Sequence, residues 1–460
     1  MTKNRVVVVG GGNAALCAAL AAIDEGATVT ILERAPRVFR GGNTRHTRNI
    51  RTVHAGADGY VTGGYAMDEF MRDLVGVTGP NINRTLAELT LHESESLPSW
   101  MWKHRVRWQA PLKGTLGLAR TNHFFLGGGK SMLNSYYAVA EDAGIDIRYE
   151  HCVNALEIDG ASCTAVVATG PDGRVERVAA DAVVVAAGGF EANREWLREY
   201  WGDAALNFIV RGTPFNDGTV LRLLLDAGAT SVGDPKGAHA IAVDARAPRE
   251  DGGIVTRIDA VPLGIAVNCA ADRFYDEGED IWPKRYATWG RRIAEEEDQR
   301  AFAIFDARSQ GEFIPGLYPP FQAPSVEALA PMLGLDPARL VATVSQFNAA
   351  CPDGTAVPDY AGLDGRSTSG IVPPRSNWAL RIDTPPFYAY PLRPGITFTY
   401  LGVAVNGRAE VCRQNGTFDN VFAAGEVMAG NILTRGYLAG FGLTIGSVFG
   451  RIAGRSAATC

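Results

Sequence analysis

Cationic side chains cluster in one short segment near the beginning of the chain. Arg45, His46, Arg48 and Arg51 follow directly after Gly41-Gly42-Asn43-Thr44. Arginine suits carboxylates because its planar guanidinium group can bind both carboxylate oxygens at once. If these groups converge, they form a strongly cationic pocket for an anionic acid. The alternative for each arginine is an ordinary solvated surface charge.

A glycine-rich loop close to the N-terminus indicates a second kind of binding. Residues 5–9 (RVVVV) form the β-branched run typical of a strand buried on both faces. Residues 10–15 (GGGNAA) follow and open an alanine-rich helix. Gly10 permits a tight turn, Gly12 lets the backbone approach a pyrophosphate, and Ala15 allows close packing of helix and strand. The free N–H groups of such a helix N-terminus bind phosphates.

An acidic residue completes this pattern. A second strand is predicted at residues 28–32, and Glu33 follows it, 21 residues after Gly12. A carboxylate at this spacing accepts hydrogen bonds from a ribose. A glycine-rich turn alone also occurs in structures that bind no phosphate. The full order of strand, glycines, helix, second strand and acid predicts a dinucleotide site, without distinguishing FAD from NAD.

Composition excludes several other classes of protein. With 460 residues the chain exceeds the size at which one hydrophobic core stops growing, so two domains are expected. A net charge of −6 gives no basic footprint for nucleic acid, and no nucleic-acid partner is expected. The 7 cysteines occur singly, without the spacing of metal ligands. They are expected to be buried thiols in a reducing compartment, and no metal site is predicted.

The sequence also predicts the cellular compartment. The residues before the first strand are too few for a signal peptide. No apolar run reaches the length of about 18 residues that a membrane-spanning helix needs. We therefore expect a cytoplasmic protein without a membrane span.

Several segments together resemble the motifs of the succinate dehydrogenase and fumarate reductase flavoprotein superfamily. In the family's order they are residues 41–44 (GGNT), 182–189 (AVVVAAGG), 216–219 (NDGT), 420–426 (NVFAAGE) and 442–446 (GLTIG). The resemblance implies FAD as the cofactor. It also implies an α/β fold in which a Rossmann-like FAD-binding domain, residues 1–230 and 385–460, carries an inserted α+β capping domain, residues 231–384.

The expected contacts of FAD lie in the N-terminal loop and in these motifs. They are Gly10, Gly12, Asn13, Ala14, Ala15, Glu33, Arg34, Gly41, Gly42, Asn43, Thr44, Ala187, Gly188, Asp217, Gly425, Glu426, Gly442, Leu443 and Thr444. Residues 442–446 start the last helix, whose N-terminus is expected to stabilise negative charge on reduced flavin. Some relatives attach FAD covalently, but the residue matching that attachment point is Asn43. Noncovalent FAD is therefore expected.

Within this superfamily the sequence most resembles the FAD-dependent tricarballylate dehydrogenases. The resemblance covers nearly the whole chain and is carried by residues 40–49 (RGGNTRHTRN), 120–130 (RTNHFFLGGGK), 282–286 (WPKRY), 396–402 (ITFTYLG) and 430–440 (GNILTRGYLAG). It implies oxidation of a C–C single bond next to a carboxylate, with tricarballylate or a similar polycarboxylate as substrate and cis-aconitate as the tricarballylate product. It also implies that electrons pass to a separate membrane-bound redox protein.

Basic residues in and near these motifs are the expected contacts of the small carboxylic-acid substrate. They are Arg45, His46, Arg48, Arg120, Lys130, Arg257 and Arg435. For proton transfer, Arg308 lies near the position of the superfamily's catalytic arginine, and Arg285 and Tyr437 are further candidates. Residues 395–402 contain no histidine, and residues 256–257 read Thr-Arg where soluble fumarate reductases have Thr-Glu. Proton delivery as in those enzymes is therefore not expected.

Three other functions remain open. The same fold could run in the opposite direction, as an ene-reductase on a fumarate-like or urocanate-like acceptor. The protein could also be a biosynthetic flavin desaturase on another acid, or a ketosteroid-type dehydrogenase with Tyr437 as base. The arginines near the flavin loop disfavour a neutral steroid. The third alternative is a flavoprotein that only relays electrons or senses redox state.

Overall fold

The computed structural model describes residues 4–460. The strands are β1 (Arg5–Val9), β2 (Thr28–Glu33), β3 (Asn49–Arg51), β4 (Trp108–Gln109), β5 (Asn122–Phe125), β6 (Asp146–Tyr149), β7 (Cys152–Asp159), β8 (Ser162–Thr169), β9 (Val175–Ala179), β10 (Ala182–Val185), β11 (Ile209–Val210), β12 (Ser231–Val232), β13 (Ala238–Asp244), β14 (Ile265–Asn268), β15 (Ala301–Asp306), β16 (Phe321–Ala323), β17 (Phe387–Thr399), β18 (Gly402–Val403), β19 (Glu410–Arg413) and β20 (Gly416–Ala423).

The α-helices are α1 (Asn13–Asp24), α2 (Met67–Thr78), α3 (Arg84–Ser94), α4 (Leu97–Lys103), α5 (Leu118–Thr121), α6 (Gly128–Asp142), α7 (Arg194–Trp201), α8 (Thr219–Asp226), α9 (Trp282–Arg285), α10 (Thr288–Glu295), α11 (Val326–Leu333), α12 (Pro337–Ala350) and α13 (Phe441–Ala458). Short 3-10 turns cover Arg37–Phe39, Gly42–His46, Gly202–Asn207, Ile254–Thr256, Val261–Leu263, Glu297–Gln299 and Gly425–Asn431. Between residues 4 and 460, no helix is long and apolar enough to cross a bilayer.

A six-stranded sheet forms the first layer of the fold. Its strand order is β19-β20-β10-β1-β2-β6, and every pair is parallel except the edge pair of β19 and β20. The valine runs of β1 and β10 lie in adjacent central positions, which explains why they are apolar on both faces. The predicted strand and glycine loop at residues 5–15 therefore lie at the centre of the sheet.

Helices α1 and α13 pack closely beside this sheet, because both carry small residues where they meet. A Cβ added to Gly454 of α13 would lie 2.1 Å from the carbonyl oxygen of Ala18 on α1. A Cβ added to Gly450 would lie 2.5 Å from the carbonyl oxygen of Ala14. This contact brings the N-termini of the two helices to the same cavity.

A second sheet belongs mainly to the middle of the chain. Its strand order is β11-β17-β15-β14, and β13 and β16 also pair with β17. One face packs on α11 and α12, where Ile304, Leu329, Leu340 and Phe347 share an apolar core. The long strand β17 pairs with both β11 and β13, so it links this sheet to the segments around the cavity.

Smaller sheets complete the structure. Strands β7, β8 and β9 form an antiparallel meander, β3, β5 and β4 form a second small sheet, and β12 pairs with β18. Of the cysteines, Cys17, Cys163 and Cys351 are buried. The expectation of burial is wrong for the other cysteines, because they lie at strand ends, in a turn or at the chain terminus: Cys152, Cys269, Cys412 and Cys460.

Candidate active site

A long cavity runs from the loop between β1 and α1 to the segment just before α13. In the loop between β1 and α1, Gly10 has a φ of 113°. A Cβ added to Gly10 would lie 2.3 Å from the carbonyl oxygen of Ala186. Helix α1 begins after Gly12, which has no side chain to cap the helix. The first turn of α1 thus presents a backbone surface suited to phosphates.

One end of the cavity has the features of a nucleoside site. The Glu33 carboxylate is buried and accepts a hydrogen bond of 2.7 Å from the Ala35 N–H. Burial raises the pKa of Glu33. Above it, the Arg34 guanidinium lies 2.5 Å from the Asp217 carboxylate, and both residues line the cavity. The ion pair joins the end of β2 to the start of α8 across this end of the cavity.

The expected cofactor residues lie along this cavity with two exceptions. Ala15 is fully buried and packs inside the fold, while the Thr444 hydroxyl donates a hydrogen bond of 2.5 Å to the Arg51 carbonyl oxygen. Those that line the cavity are Gly10, Gly12, Asn13, Ala14, Glu33, Arg34, Gly41, Gly42, Asn43, Thr44, Ala187, Gly188, Asp217, Gly425, Glu426, Gly442 and Leu443.

Two buried carboxyl groups lie under the middle of the cavity. Glu191 accepts a hydrogen bond from the Asn43 side chain and one of 2.8 Å from Asn216. Glu426 accepts a hydrogen bond of 2.7 Å from the Thr399 N–H. Burial raises the pKa of both, and the charge of Glu191 raises the pKa of Glu426 further. The pair therefore favours a state in which at least one carboxyl keeps its proton.

Three guanidinium groups converge at the other end of the cavity. Arg48 precedes β3, Arg211 follows β11, and Arg257 follows a 3-10 turn. Each has at least one buried guanidinium nitrogen with no hydrogen-bond acceptor among residues 4–460. Burial and the neighbouring charge of Arg257 lower the pKa of Arg48 and of Arg211 to about 10. Both remain cations at neutral pH, so their free donors favour an anion.

One carboxylate partly balances these cations. Asp259 accepts hydrogen bonds of 2.6 Å from Arg257 and 2.6 Å from the Trp282 indole, and it lies 3.5 Å from Arg48. Its pKa is lowered by Arg257 and Arg48, although burial opposes this. Three guanidinium groups and one carboxylate leave a net charge of two at this end of the cavity, and this net charge is positive.

His239 and Tyr437 stack beside these arginines, with ring centroids 4.0 Å apart. His239 Nδ1 lies 2.9 Å from the Thr397 hydroxyl, and its Nε2 has no hydrogen-bond partner in the described part of the chain. Burial and the charges of Arg211 and Arg257 hold the pKa of His239 well below its usual value. The imidazole is therefore neutral at neutral pH, with one nitrogen free. The Tyr437 hydroxyl oxygen accepts a hydrogen bond of 2.7 Å from the Gly442 N–H.

The structure does not bring all of the predicted substrate and proton-transfer residues to this cavity. His46, Arg48, Arg257 and Tyr437 line it. The others lie elsewhere: Arg45, Arg120, Lys130, Arg285, Arg308 and Arg435.

Charge partners explain several of these placements. Arg308 is held 2.7 Å from Asp306 and 2.8 Å from Asp383, and Arg120 pairs with Glu69. Arg285 lies 3.4 Å from Glu279 in a separate cleft, which also contains Arg435. Lys130 lies in a shallow surface depression. This geometry does not support the predicted role of Arg308 in proton transfer. It also does not support Arg120 and Lys130 as contacts of the substrate.

Arg45 and His46 lie near the edge of the site. His46 Nε2 is paired with Asp251, and Arg45 is 4.0 Å from the same carboxylate. Burial lowers the pKa of His46, which the Asp251 carboxylate opposes. The two side chains therefore link the 3-10 turn Gly42–His46 to Asp251.

Important cavity residues were not predicted from the sequence. Arg211 follows a two-residue strand outside any motif. His239 lies in a buried strand, and the register of β13 against β17 shifts between Ala238 and Ala240. Two residues of β17 lie opposite His239 at this point, so the bulge is in β17. His239 faces the cavity by the ordinary alternation of β13, because Ala238 and Ala240 line a different cleft on the other side. Neither face of this mostly apolar strand carries a motif that marks it as part of a site.

The fold and the cavity together define a dinucleotide-binding flavoprotein. The sequence profile of the FAD binding domain family matches residues 5–443. The chain belongs to this family, and FAD is its cofactor. The glycine turn, the uncapped α1 and the buried Glu33 fit the pyrophosphate and nucleoside of that cofactor. The predicted α/β fold, cofactor and class of FAD-dependent oxidoreductase are thus confirmed.

Known proteins resemble the chain over most of its length. It is 27% identical to the probable fumarate reductase of Shewanella frigidimarina (strain NCIMB 400), over 99% of this chain and 74% of that protein. It is 26% identical to the 4-oxocyclohex-2-ene-1-carboxylate 5-dehydrogenase of Sinomonas cyclohexanicum, over 83% of this chain and 67% of that protein. The chain spans less than half of two other relatives, 26% and 47% of their lengths.

A solved structure resembles the whole chain. The open conformation of a flavocytochrome c3 fumarate reductase matches with a TM-score of 0.76 at 25% identity, over 99% of this chain and 78% of that one. Together with the family match, it places the chain among FAD-dependent oxidoreductases of the family that includes fumarate reductases, ene-reductases and dehydrogenases.

Proposed function

We propose that the protein is a dehydrogenase that oxidises a C–C single bond next to a carboxylate. The substrate is a polycarboxylate such as tricarballylate, which would give cis-aconitate. The observation that carries this proposal is the convergence of Arg48, Arg211 and Arg257, each of which has at least one buried donor without an acceptor among residues 4–460. Buried guanidinium donors normally have partners, so a bound carboxylate is their natural complement.

The charge of the cavity supports a substrate with more than one carboxylate. After Asp259 is counted, two positive charges remain at the arginine end of the cavity. A dianion neutralises them, and a monoanion leaves one buried cation without a partner. This arrangement favours dicarboxylates and tricarboxylates over a neutral steroid.

His239 is the best placed group to accept a proton from the substrate. Bound FAD supplies the acceptor for the two electrons. The neutral imidazole has a free Nε2, and its Nδ1 is oriented by the Thr397 hydroxyl. Bound carboxylates offset the charges of Arg211 and Arg257, which raises the proton affinity of His239 when it is needed. The arginines also stabilise negative charge that develops on the substrate carboxylate.

The surrounding segments have matching proposed roles. The second sheet and its helices act as the capping domain, and the His46 and Asp251 pair holds this cap against the flavin loop. We propose noncovalent FAD, because the Asn43 side chain is engaged with Glu191, Thr397 and Thr213. A separate membrane-bound redox protein is the proposed electron acceptor.

The opposite direction, an ene-reductase, is the second candidate. Burial holds the pKa of Tyr437 well above its usual value, so its hydroxyl keeps a proton that it could donate to an alkene. The similarity to a probable fumarate reductase also supports this direction.

An anaerobic flavin assay separates these candidates. Oxidised enzyme is mixed with tricarballylate, succinate or a steroid, and dithionite-reduced enzyme is mixed with cis-aconitate, fumarate or urocanate. The proposal predicts loss of flavin absorbance with tricarballylate or another polycarboxylate. Reoxidation by fumarate or urocanate, with no bleaching by any saturated acid, would establish the reductase. No spectral response to any of these compounds would contradict both.

A further inference from the structure

A second basic cleft lies behind one wall of the active-site cavity. Its volume is about 430 Å³, and segments from α2, α7, β13, α9, α10 and the loop before α13 line it. Its charged residues are Lys236, Arg285, Arg291, Arg292, Arg435, Glu279 and Glu295. Five cations and two acids leave an excess of three positive charges. None of these five cations lines the active-site cavity.

The carboxylates of Glu279 and Glu295 provide partners for only some of these cations. Arg291 and Arg292 share the one carboxylate of Glu295, at 3.5 Å and 3.3 Å. The Nε of Arg292 is buried and has no hydrogen-bond acceptor in the described residues. The Nε of Arg285 is also buried, and its contact of 3.4 Å with the Glu279 carboxylate lacks the geometry of a hydrogen bond. An unpaired buried donor costs free energy, so these atoms point to a ligand that can accept hydrogen bonds.

The remaining cations have no acidic partner at all. Lys236 and Arg435 are exposed at the cleft, and neither lies within 4.0 Å of a carboxylate anywhere between residues 4 and 460. An arginine fork and a lysine ammonium on the same cleft suit an oxyanion with several acceptor atoms.

We propose that this cleft is a second binding site, separate from the active site, for a small anion with two or more negative charges. Carboxylates and phosphates share this chemistry. The aromatic side chains of Trp201 and Tyr275 and the backbone around Gly76 bound the cleft, which limits the ligand to a small molecule. The charge excess of three matches a trianion such as citrate or a pyrophosphate.

The position of the cleft connects it with the active site. Ala238 and Ala240 face the cleft, while His239 between them faces the cavity. Gly436 borders the cleft and Tyr437 the cavity. A ligand in the cleft thus contacts the same backbone segments that hold two cavity side chains. Any coupling between the two sites must be reciprocal.

Calorimetric titration of the FAD-loaded enzyme with citrate and with pyrophosphate tests this proposal. Flavin absorbance is followed in parallel, because an anion in the cavity should perturb the flavin directly, whereas one in the cleft can act on it only through β13 and the loop before α13. The double variant Lys236→Gln/Arg435→Gln is compared with Lys103→Gln/Lys113→Gln, which removes the same charge from two exposed lysines elsewhere.

The expected result is a binding event without a flavin change. The cleft variant should weaken it by about tenfold or more, and the control variant by less than about twofold. Tighter binding of citrate identifies a carboxylate site, and tighter binding of pyrophosphate identifies a phosphate site. The proposal is overturned if neither anion binds, or if the cleft variant binds both anions as tightly as the control variant does. Substrate turnover is not needed, so the result is independent of the proposed reaction.

Discussion

Replacement of Arg211 by methionine should weaken catalysis and stabilise the protein at the same time. Arg211 is 5% exposed, and among residues 4–460 its guanidinium donates only to the Thr397 hydroxyl, at 3.0 Å. Its pKa is lowered to about 10 from an ordinary 12.5, mainly by burial and then by Arg257. A change of that size corresponds to about 3 kcal/mol by which the fold disfavours the charged form. The substrate-free enzyme carries this cost at neutral pH.

The two effects have separate magnitudes. Methionine has a similar length and no charge, so Arg211→Met should raise the free energy of unfolding by about 1 to 3 kcal/mol. In turnover, the loss of two charge-assisted hydrogen bonds to a carboxylate should cost about 3 to 4 kcal/mol, a fall in kcat/KM of roughly 150- to 1,000-fold. Thermal denaturation of the FAD-loaded enzyme without substrate and dye-coupled substrate oxidation measure the two effects.

Arg308→Met provides the matched control. Arg308 lies outside the cavity and is held by Asp306 and Asp383. This variant should keep kcat/KM but lower the thermal midpoint, because Asp306 is left buried without its cation. The reasoning is refuted if Arg211→Met keeps wild-type kcat/KM, or if it is destabilised as Arg308→Met is expected to be.

Three further variants test other parts of the site. His239→Gln should lower kcat by roughly 10²- to 10⁴-fold with less change in KM, as steady-state kinetics would measure; an unchanged kcat would remove His239 from proton transfer. Because the pKa of Glu426 is raised in the fold, its contribution to stability is lost as pH rises above the ordinary carboxyl range. Glu426→Gln should therefore flatten the fall in thermal midpoint as pH rises above that range, and an unaltered pH profile would contradict this. Asp217→Asn breaks the half-exposed pair with Arg34 and should weaken FAD retention up to about fivefold, measured by released flavin fluorescence; equal retention would exclude a role for the pair.

Local patterns were sufficient to predict the nucleotide end of the cavity. Gly10, Gly12 and Glu33 lie within one strand, helix and strand unit, so their spacing in sequence fixes their spacing in the fold. The start of α13 was also placed to within one residue, on the resemblance of residues 442–446 to a superfamily motif. These positions depend on backbone geometry that a short motif encodes.

The arginine end depends on long-range contacts that no short motif encodes. Arg211 and His239 reach the cavity through strands that pair with β17, more than 150 residues later in the chain. Alternation along β13 fixes which face His239 occupies, but only the pairing of β13 with β17 decides that this face borders the cavity. The expectation for Arg308 came from resemblance alone, and it did not foresee that Asp383, 75 residues away, would pair with this arginine.

A crystal structure of the enzyme with FAD and tricarballylate tests the central claim most directly. We predict carboxylate oxygens about 2.7 to 2.9 Å from guanidinium nitrogens of Arg48, Arg211 and Arg257, with a substrate carbon beside His239. A ligand bound without any of these three arginines, or density for it only in the second basic cleft, would contradict the account.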